Sequence, residues 1–265
     1  MFDVHIGEAN GNGAKMISRY AQRARLARWR RLAAEAPSMA PAALRDLRAD
    51  ARQIGREIKR ILQIADQRLA QPAAGSDAMQ RPATADWAWR PDLWRMPIDL
   101  AGLAPVENGC EINGETRLYH DSAITETAVR QLRNARPEDL APFALRIDSL
   151  GFQGSFLSVS VGLPQAALTG LRLTHLIRVE ALVESERPTH LKARLNVKHG
   201  PNVEQSVADM PAGAALRVAE FDLAHSRIND RRIEQAWLDI FFDPPAMNRI
   251  DVRDLTMSRR PRAEL

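Results

Sequence analysis

The chain has 265 residues, 45% of them hydrophobic and 26% charged, with a single cysteine. That composition builds a packed core without crosslinks, and a lone Cys110 excludes an internal disulfide framework and any paired-cysteine zinc site. The net charge of +4 hides an asymmetry: residues 1–72 carry 14 Lys and Arg against 7 Asp and Glu, and the remainder 23 against 26, so the basicity belongs to the N-terminal arm.

The first residues, "MFDVHIGEANGNGAK", have no basic start followed by an apolar run, and nowhere does an apolar run approach the ~20 residues of a membrane span. A cytoplasmic location is therefore expected. "GEANGNGAK" is Gly-rich and ends in Lys15, but no strand precedes it and Met16 stands where a phosphate-binding loop needs Ser or Thr. Residues 1–13 read as a flexible terminus.

Residues 14–70 read as a basic helical arm. Residues 14–34 lack Gly and Pro and form a first helix; Pro37 and Pro41 separate it from a second over 41–70. In the second helix Leu44, Leu47, Ala51, Ile54, Ile58, Ile61, Ala65 and Leu69 recur at steps of three and four, an a/d seam. Either the first helix folds back over this seam as a hairpin, or the same helix of another subunit covers it as a coiled coil. Arg19, Arg23, Arg28 and Arg31 of the first helix are candidates for contact with nucleic acid or an anionic membrane. The helical wheel makes them a poor amphipathic anchor, and a solvated helix facing acidic partners is the preferred reading.

Residues 71–85, rich in Pro, Gly and Ala, read as a linker. Residues 86–141 open with "DWAWRPDLWRMP", which holds Trp87, Trp89 and Trp94, three of the five tryptophans. These read as an aromatic strap that fastens the segment to the domain behind it, in preference to a ligand platform. Two Asn-Gly pairs around Cys110 suggest turns, and Cys110 itself reads as a small buried hydrophobe. Residues 122–134, "SAITETAVRQLRN", fit a short helix capped by Asp121 or Ser122.

From residue 142 the hydrophobic period becomes two. Leu157, Val159 and Val161 alternate with Phe156, Ser158 and Ser160; Ile177, Val179, Ala181 and Val183 alternate with Leu176, Arg178, Glu180 and Glu184; Leu191, Ala193, Leu195 and Val197 alternate with Lys192, Arg194, Asn196 and Lys198. "ALRVAEFDLA", "IEQAWLDIFFD" and "NRIDVRDLTMSRR" repeat the pattern. The expected fold is mainly β: an antiparallel sandwich of jelly-roll type over 142–265, preceded by the helical arm.

Two polar groupings are candidate sites. "RLNVKHGPNVEQ" gathers Asn196, Lys198, His199, Asn202, Glu204 and Gln205, side chains that hydrogen-bond hydroxyls and carboxylates as a glycan or anion site needs; the bland alternative is that Gly200-Pro201 makes a turn satisfied by its neighbours. His120 and Asp121, with His199, are the residues a hydrolase would use, although adjacent side chains diverge and helix capping accounts for Asp121. No pattern points to a metal or a cofactor.

The strings "WAWRPDLWR", "RQLRNARPEDLAPFAL", "GSFLSVSVGLP", "LNVKHGPN" and "RDLTMSRRPRAEL" resemble an uncharacterised alphaproteobacterial family, a domain of unknown function, over roughly residues 84–265. The ending "NRIDVRDLTMSRRP" is similar to the last strand of carbohydrate-binding-module-like sandwiches. Together these readings favour a non-enzymatic binding or assembly protein: a sandwich that recognises a glycan or a protein, with self-association through residues 41–70.

Overall fold

A computed structural model describes residues 23–69, 78–98, 102–123, 125–244 and 247–262. The chain divides into two compact units, Met1–Ile61 and Leu62–Leu265. The expected flexible terminus, Arg19, the start of the first helix and most of the linker lie outside the described residues.

Residues 23–35 are helical (α1), a 3₁₀ turn covers Ala36–Ser38, and α2 runs over Pro41–Leu69, its last eight residues falling in the second unit. Pro41 opens α2 at the position where a missing N–H costs nothing. Arg23, Arg28 and Arg31 are exposed on α1. On α2 Leu44 and Ile54 are 41% exposed, Ile58 52% and Ile61 65%. No described helix is long and apolar enough to cross a membrane.

The rest of the described chain is an antiparallel sandwich. Its strands are β1 (Trp87–Trp89), β2 (Cys110–Asn113), β3 (Thr116–His120), β4 (Thr125–Arg133), β5 (Phe143–Phe152), β6 (Leu157–Gly162), β7 (His175–Ser185), β8 (Leu191–His199), β9 (Asn202–Met210), β10 (Leu216–Asp222), β11 (Ile233–Phe242) and β12 (Asn248–Pro261). One-turn helices α3 (Asp92–Arg95) and α4 (Gln165–Leu168) interrupt them. The first sheet has the order β10-β7-β12-β5-β4, with β1 beside the C-terminal half of β12; the second has the order β2-β3-β6-β11-β8-β9. From β5 to β8 and again from β9 to β12 the chain alternates between sheets, the winding expected of a jelly roll.

The alternation read from sequence sets the faces. Leu145 and Ile147 of β5, Leu157, Val159 and Val161 of β6, Val179 and Ala181 of β7, and Leu191, Ala193 and Leu195 of β8 are buried between the sheets. Leu238 and Ile240 of β11 and Leu255 of β12 complete this layer. Burial of such side chains typically contributes about 1.5–3 kcal/mol each.

Two expectations are corrected. Residues 122–134 are not a helix: Thr125–Arg133 is β4, paired with β5. Its good helix formers are outweighed because Thr127 and Val129, each 1% exposed, enter the core at a period of two. Nor does Asp121 cap a helix. Its carboxylate accepts from the Ser155 amide at 2.7 Å, the Ser155 hydroxyl at 2.6 Å and the Phe156 amide at 3.2 Å, which fixes the turn between β5 and β6. Second, the sandwich begins at Trp87 rather than residue 142, since β1 to β4 belong to its sheets.

The turn that Asp121 fixes leaves no room at Gly154, where an added Cβ would stand 2.4 Å from Asp121 Oδ1 and 2.7 Å from the Ser122 amide. Gly154→Ala should therefore cost about 1–3 kcal/mol, typical of overpacking. A melting temperature equal to that of the unaltered protein would contradict this.

The tryptophan segment lies against β12. Trp94 is 1% exposed and its indole N–H donates to the Val252 carbonyl at 2.8 Å. Trp87 and Trp89, half-buried, pack against the core and stack with ring centroids 6.2 Å apart. Between them and Trp94, Arg90 is 1% exposed and holds Asp254 of β12 through Nε at 2.8 Å and Nη2 at 2.9 Å.

Candidate functional site

The outer face of the second sheet differs from an ordinary solvated face. Strand pairing sets its side chains in rows: Tyr119, Ser158, Phe241 and Lys192 in one; Arg117, Ser160, Asp239 and Arg194 in the next; Gly162, Trp237, Asn196 and Gln205 in a third. Rows two residues apart along a strand are separated by roughly 7 Å. Because β6 contributes only Ser158, Ser160 and Gly162 here, a trough opens beside the larger side chains of β3 and β11. A groove of about 640 Å³ is lined by Tyr119, Phe156, Ser158, Ser160, Arg194, Trp237, Asp239 and Phe241. Its continuation, about 430 Å³, shares Tyr119, Ser160 and Trp237 and ends at Gly114 and Glu115.

The walls are aromatic. Tyr119, Phe156, Trp237 and Phe241 are all half-buried, and Phe156 lies 6.1 Å from Phe241. Arg194 holds its guanidinium 4.8 Å from the centre of the Phe241 ring. The floor is polar. Asp239, 4% exposed, accepts through Oδ2 from Arg194 Nε at 3.1 Å, Arg194 Nη2 at 2.8 Å and Asn196 Nδ2 at 2.8 Å. Charge-assisted bonds of this kind hold an acid in a fixed pose, so the floor is organised before any ligand arrives.

At the far end Glu115 accepts a short hydrogen bond from the Asp92 amide of α3. Burial pushes its carboxyl up to about 7 against the lowering pull of that amide. The folded protein then binds this proton more tightly than the unfolded chain, whose carboxyl titrates near 4.5. Stability from this group must fall as pH rises from about 4.5 to 7, the burden being absent below that window and complete above it. Glu115→Gln keeps an acceptor for Asp92 and should flatten the slope. Urea midpoints measured on either side of the window check this, and an unchanged slope in the variant would contradict it.

The six residues singled out between 196 and 205 are divided by the β8–β9 hairpin, whose two-residue turn starts at Gly200 with φ 60°. Asn196, Lys198 and Gln205 share the outer face of the sheet. His199, Asn202 and Glu204 take the opposite parity: His199 is 8% exposed with Nδ1 accepting from the Asn229 amide at 3.4 Å, and Glu204 accepts from the Arg227 amide at 3.1 Å. Lys198 pairs with Glu234 at 2.9 Å.

The hydrolase trio does not assemble. His120 pairs in register with Leu157, at the end of the second sheet that holds Leu191, whereas His199 is at the other end of β8, eight residues or roughly 26 Å away. His120 is buried with Nε2 3.1 Å from the Val106 carbonyl oxygen. Cys110 is half-buried rather than buried, and burial raises its thiol pKa. Among the described residues no group of three or more His, Cys, Asp or Glu is placed to hold a metal ion.

Reasoning from sequence missed Tyr119, Trp237, Asp239 and Phe241. The signal was present in "RIEQAWLDIFFD": with Ala236, Leu238, Ile240 and Phe242 inward, Trp237 and Phe241 fall at solvent-facing positions, where large aromatic side chains are unexpected.

Solved structures similar to this chain include the family 11 carbohydrate-binding module of Clostridium thermocellum, at 10% identity and TM-score 0.38, covering 60% of this chain and 96% of that one. A xylan-binding domain of family 22 has 10% identity and TM-score 0.34 over 62% and 99% of the two chains. The enzymatically active domain of bacteriophage CBA120 tailspike protein 4 has 8% identity and TM-score 0.38, over 58% of this chain and 21% of that one. Likeness at this level says nothing about ligand or activity. No curated protein matches the chain. The match that covers nearly the whole sequence is to a family model, over residues 9–265, and the chain belongs to that family, the family of unknown function DUF6478.

Proposed function

We propose that the protein binds a glycan in the groove across the outer face of its second sheet, and that its role is recognition rather than catalysis. One observation carries this reading: four aromatic side chains, Tyr119, Phe156, Trp237 and Phe241, wall a trough whose floor is Ser158, Ser160, Arg194 and Asp239. Sugar rings present apolar C–H faces and a rim of hydroxyls, so a site for them needs flat apolar walls beside fixed donors and acceptors. The trough, which runs from Phe156 to Gly162 along β6, roughly 20 Å, suits a chain of several sugar residues.

Migration of the full chain through native gels containing soluble polysaccharides tests this. At least one glycan should retard the protein while leaving an unrelated protein of similar size unaffected. Unaltered mobility against a broad panel would overturn the reading.

The arm has a separate proposed role, self-association through α2, favoured by the exposure of Leu44, Ile54, Ile58 and Ile61 along one stripe. Burying them against a second helix removes apolar surface that one chain leaves in water. Sedimentation velocity of the full chain should show an oligomer that dissociates when Ile54 and Ile58 become Lys. A monomer at all concentrations would overturn this role.

A further inference from the structure

We infer that the groove selects an uncharged, polyhydroxyl chain and rejects acidic ones; this rests on the glycan reading above. The floor holds a carboxylate oxygen that no protein donor occupies. All three donors to Asp239 converge on Oδ2, so Oδ1 of this 4%-exposed residue takes no hydrogen bond among the described residues, in a side chain that lines the groove. Asn196, 0% exposed and in the row of Trp237, holds that pose from beneath: Nδ2 donates to Asp239 and to the carbonyls of Arg194 and Trp237. The free oxygen of Asp239 is open to the groove, where a ligand hydroxyl can donate to it in place of solvent. A carboxylate or sulfate brings only further acceptors, and sets its charge against that of Asp239.

Three cations of this face are already matched. Arg194 is committed to Asp239 and to the Phe241 ring. Arg117 pairs with Glu111 at 2.8 Å and Lys198 with Glu234 at 2.9 Å. Lys192, in the row of Phe241, stands opposite Asp209 in the β8–β9 register but forms no ion pair among the described residues. Beyond Lys192, an acidic polysaccharide would have to break these three pairs to find a counter-charge on this face, whereas a neutral one leaves them intact. Asp239 is accordingly a specificity-determining residue, accepting from the ligand on one oxygen while the other holds Arg194.

The test uses the full chain against two sets of soluble probes: galactomannan, xyloglucan and mixed-linkage β-glucan as neutral chains, polygalacturonate, alginate and dextran sulfate as acidic ones. Binding of a neutral probe that is insensitive to salt, with no acidic probe bound more tightly, is the expected result. Asp239→Asn, which frees Arg194 of its counter-charge and removes the anionic acceptor, should weaken neutral binding about tenfold or more and bring acidic probes into range. If that variant unfolds, Ser160→Lys adds a cation to the floor and should shift preference the same way. Tighter binding of an acidic probe by the unaltered protein would overturn this inference while leaving glycan recognition standing. Binding of no probe in either set would overturn both.

Discussion

Replacing Trp237 with alanine is expected to weaken binding of whichever glycan retards the protein by about ten- to a hundredfold, the effect of losing about 1.5–3 kcal/mol of apolar contact. Trp237 is the side chain on which the account depends most, because it is common to both segments of the groove. It is half-buried and on the solvent side of β11, with Leu238 and Ala236 filling the core on the other, so its removal leaves the core intact. The melting temperature should move little. Calorimetric titration of both proteins, with thermal unfolding recorded on the same samples, separates the two quantities. Loss of binding together with loss of fold would show that Trp237 is structural and the groove incidental.

The largest loss of stability is expected at another tryptophan. Trp94→Ala should cost about 3–5 kcal/mol, the range for removing a buried Trp. For a domain of this size that lowers the melting temperature by roughly 6–20 °C. Trp94 is 1% exposed, and its loss also leaves the Val252 carbonyl without the indole donor. Trp87→Ala should be much milder, since that ring is half-buried, stacked on Trp89 at the margin of the core. Urea unfolding of the two variants measures the difference. Equal losses, or a larger one at Trp87, would contradict the description of this segment as a strap anchored chiefly by Trp94 and Arg90.

How legible this was in the sequence depended on distance along the chain. Within a strand, a period of two is a local property. The inward sets of β6, β7 and β8 and the outward Phe156, Ser158, Ser160, Arg194 and Asn196 could therefore be read directly. β4 could not, because "TAVRQLR" offers helix formers and strand formers together, and only its pairing with β5 decides between them. The groove was hidden for a different reason. Attention to polar residues clustered in sequence led to the stretch 196–205, but a hairpin sends alternate members of such a cluster to opposite faces. The groove instead takes one to three residues from each of several strands, so Tyr119, Ser158 and Phe241 become neighbours only through a register that links positions far apart in the chain. What the sequence did contain was the anomaly of Trp237 and Phe241 at outward positions.

The most direct test of the central claim is hydroxyl-radical footprinting of the full chain with and without a glycan that retards it. The account predicts protection of Tyr119, Phe156, Trp237 and Phe241 on binding, with Trp87 and Trp89 unchanged. Protection confined to Trp87 and Trp89, or to the hairpin around Gly200, would contradict it.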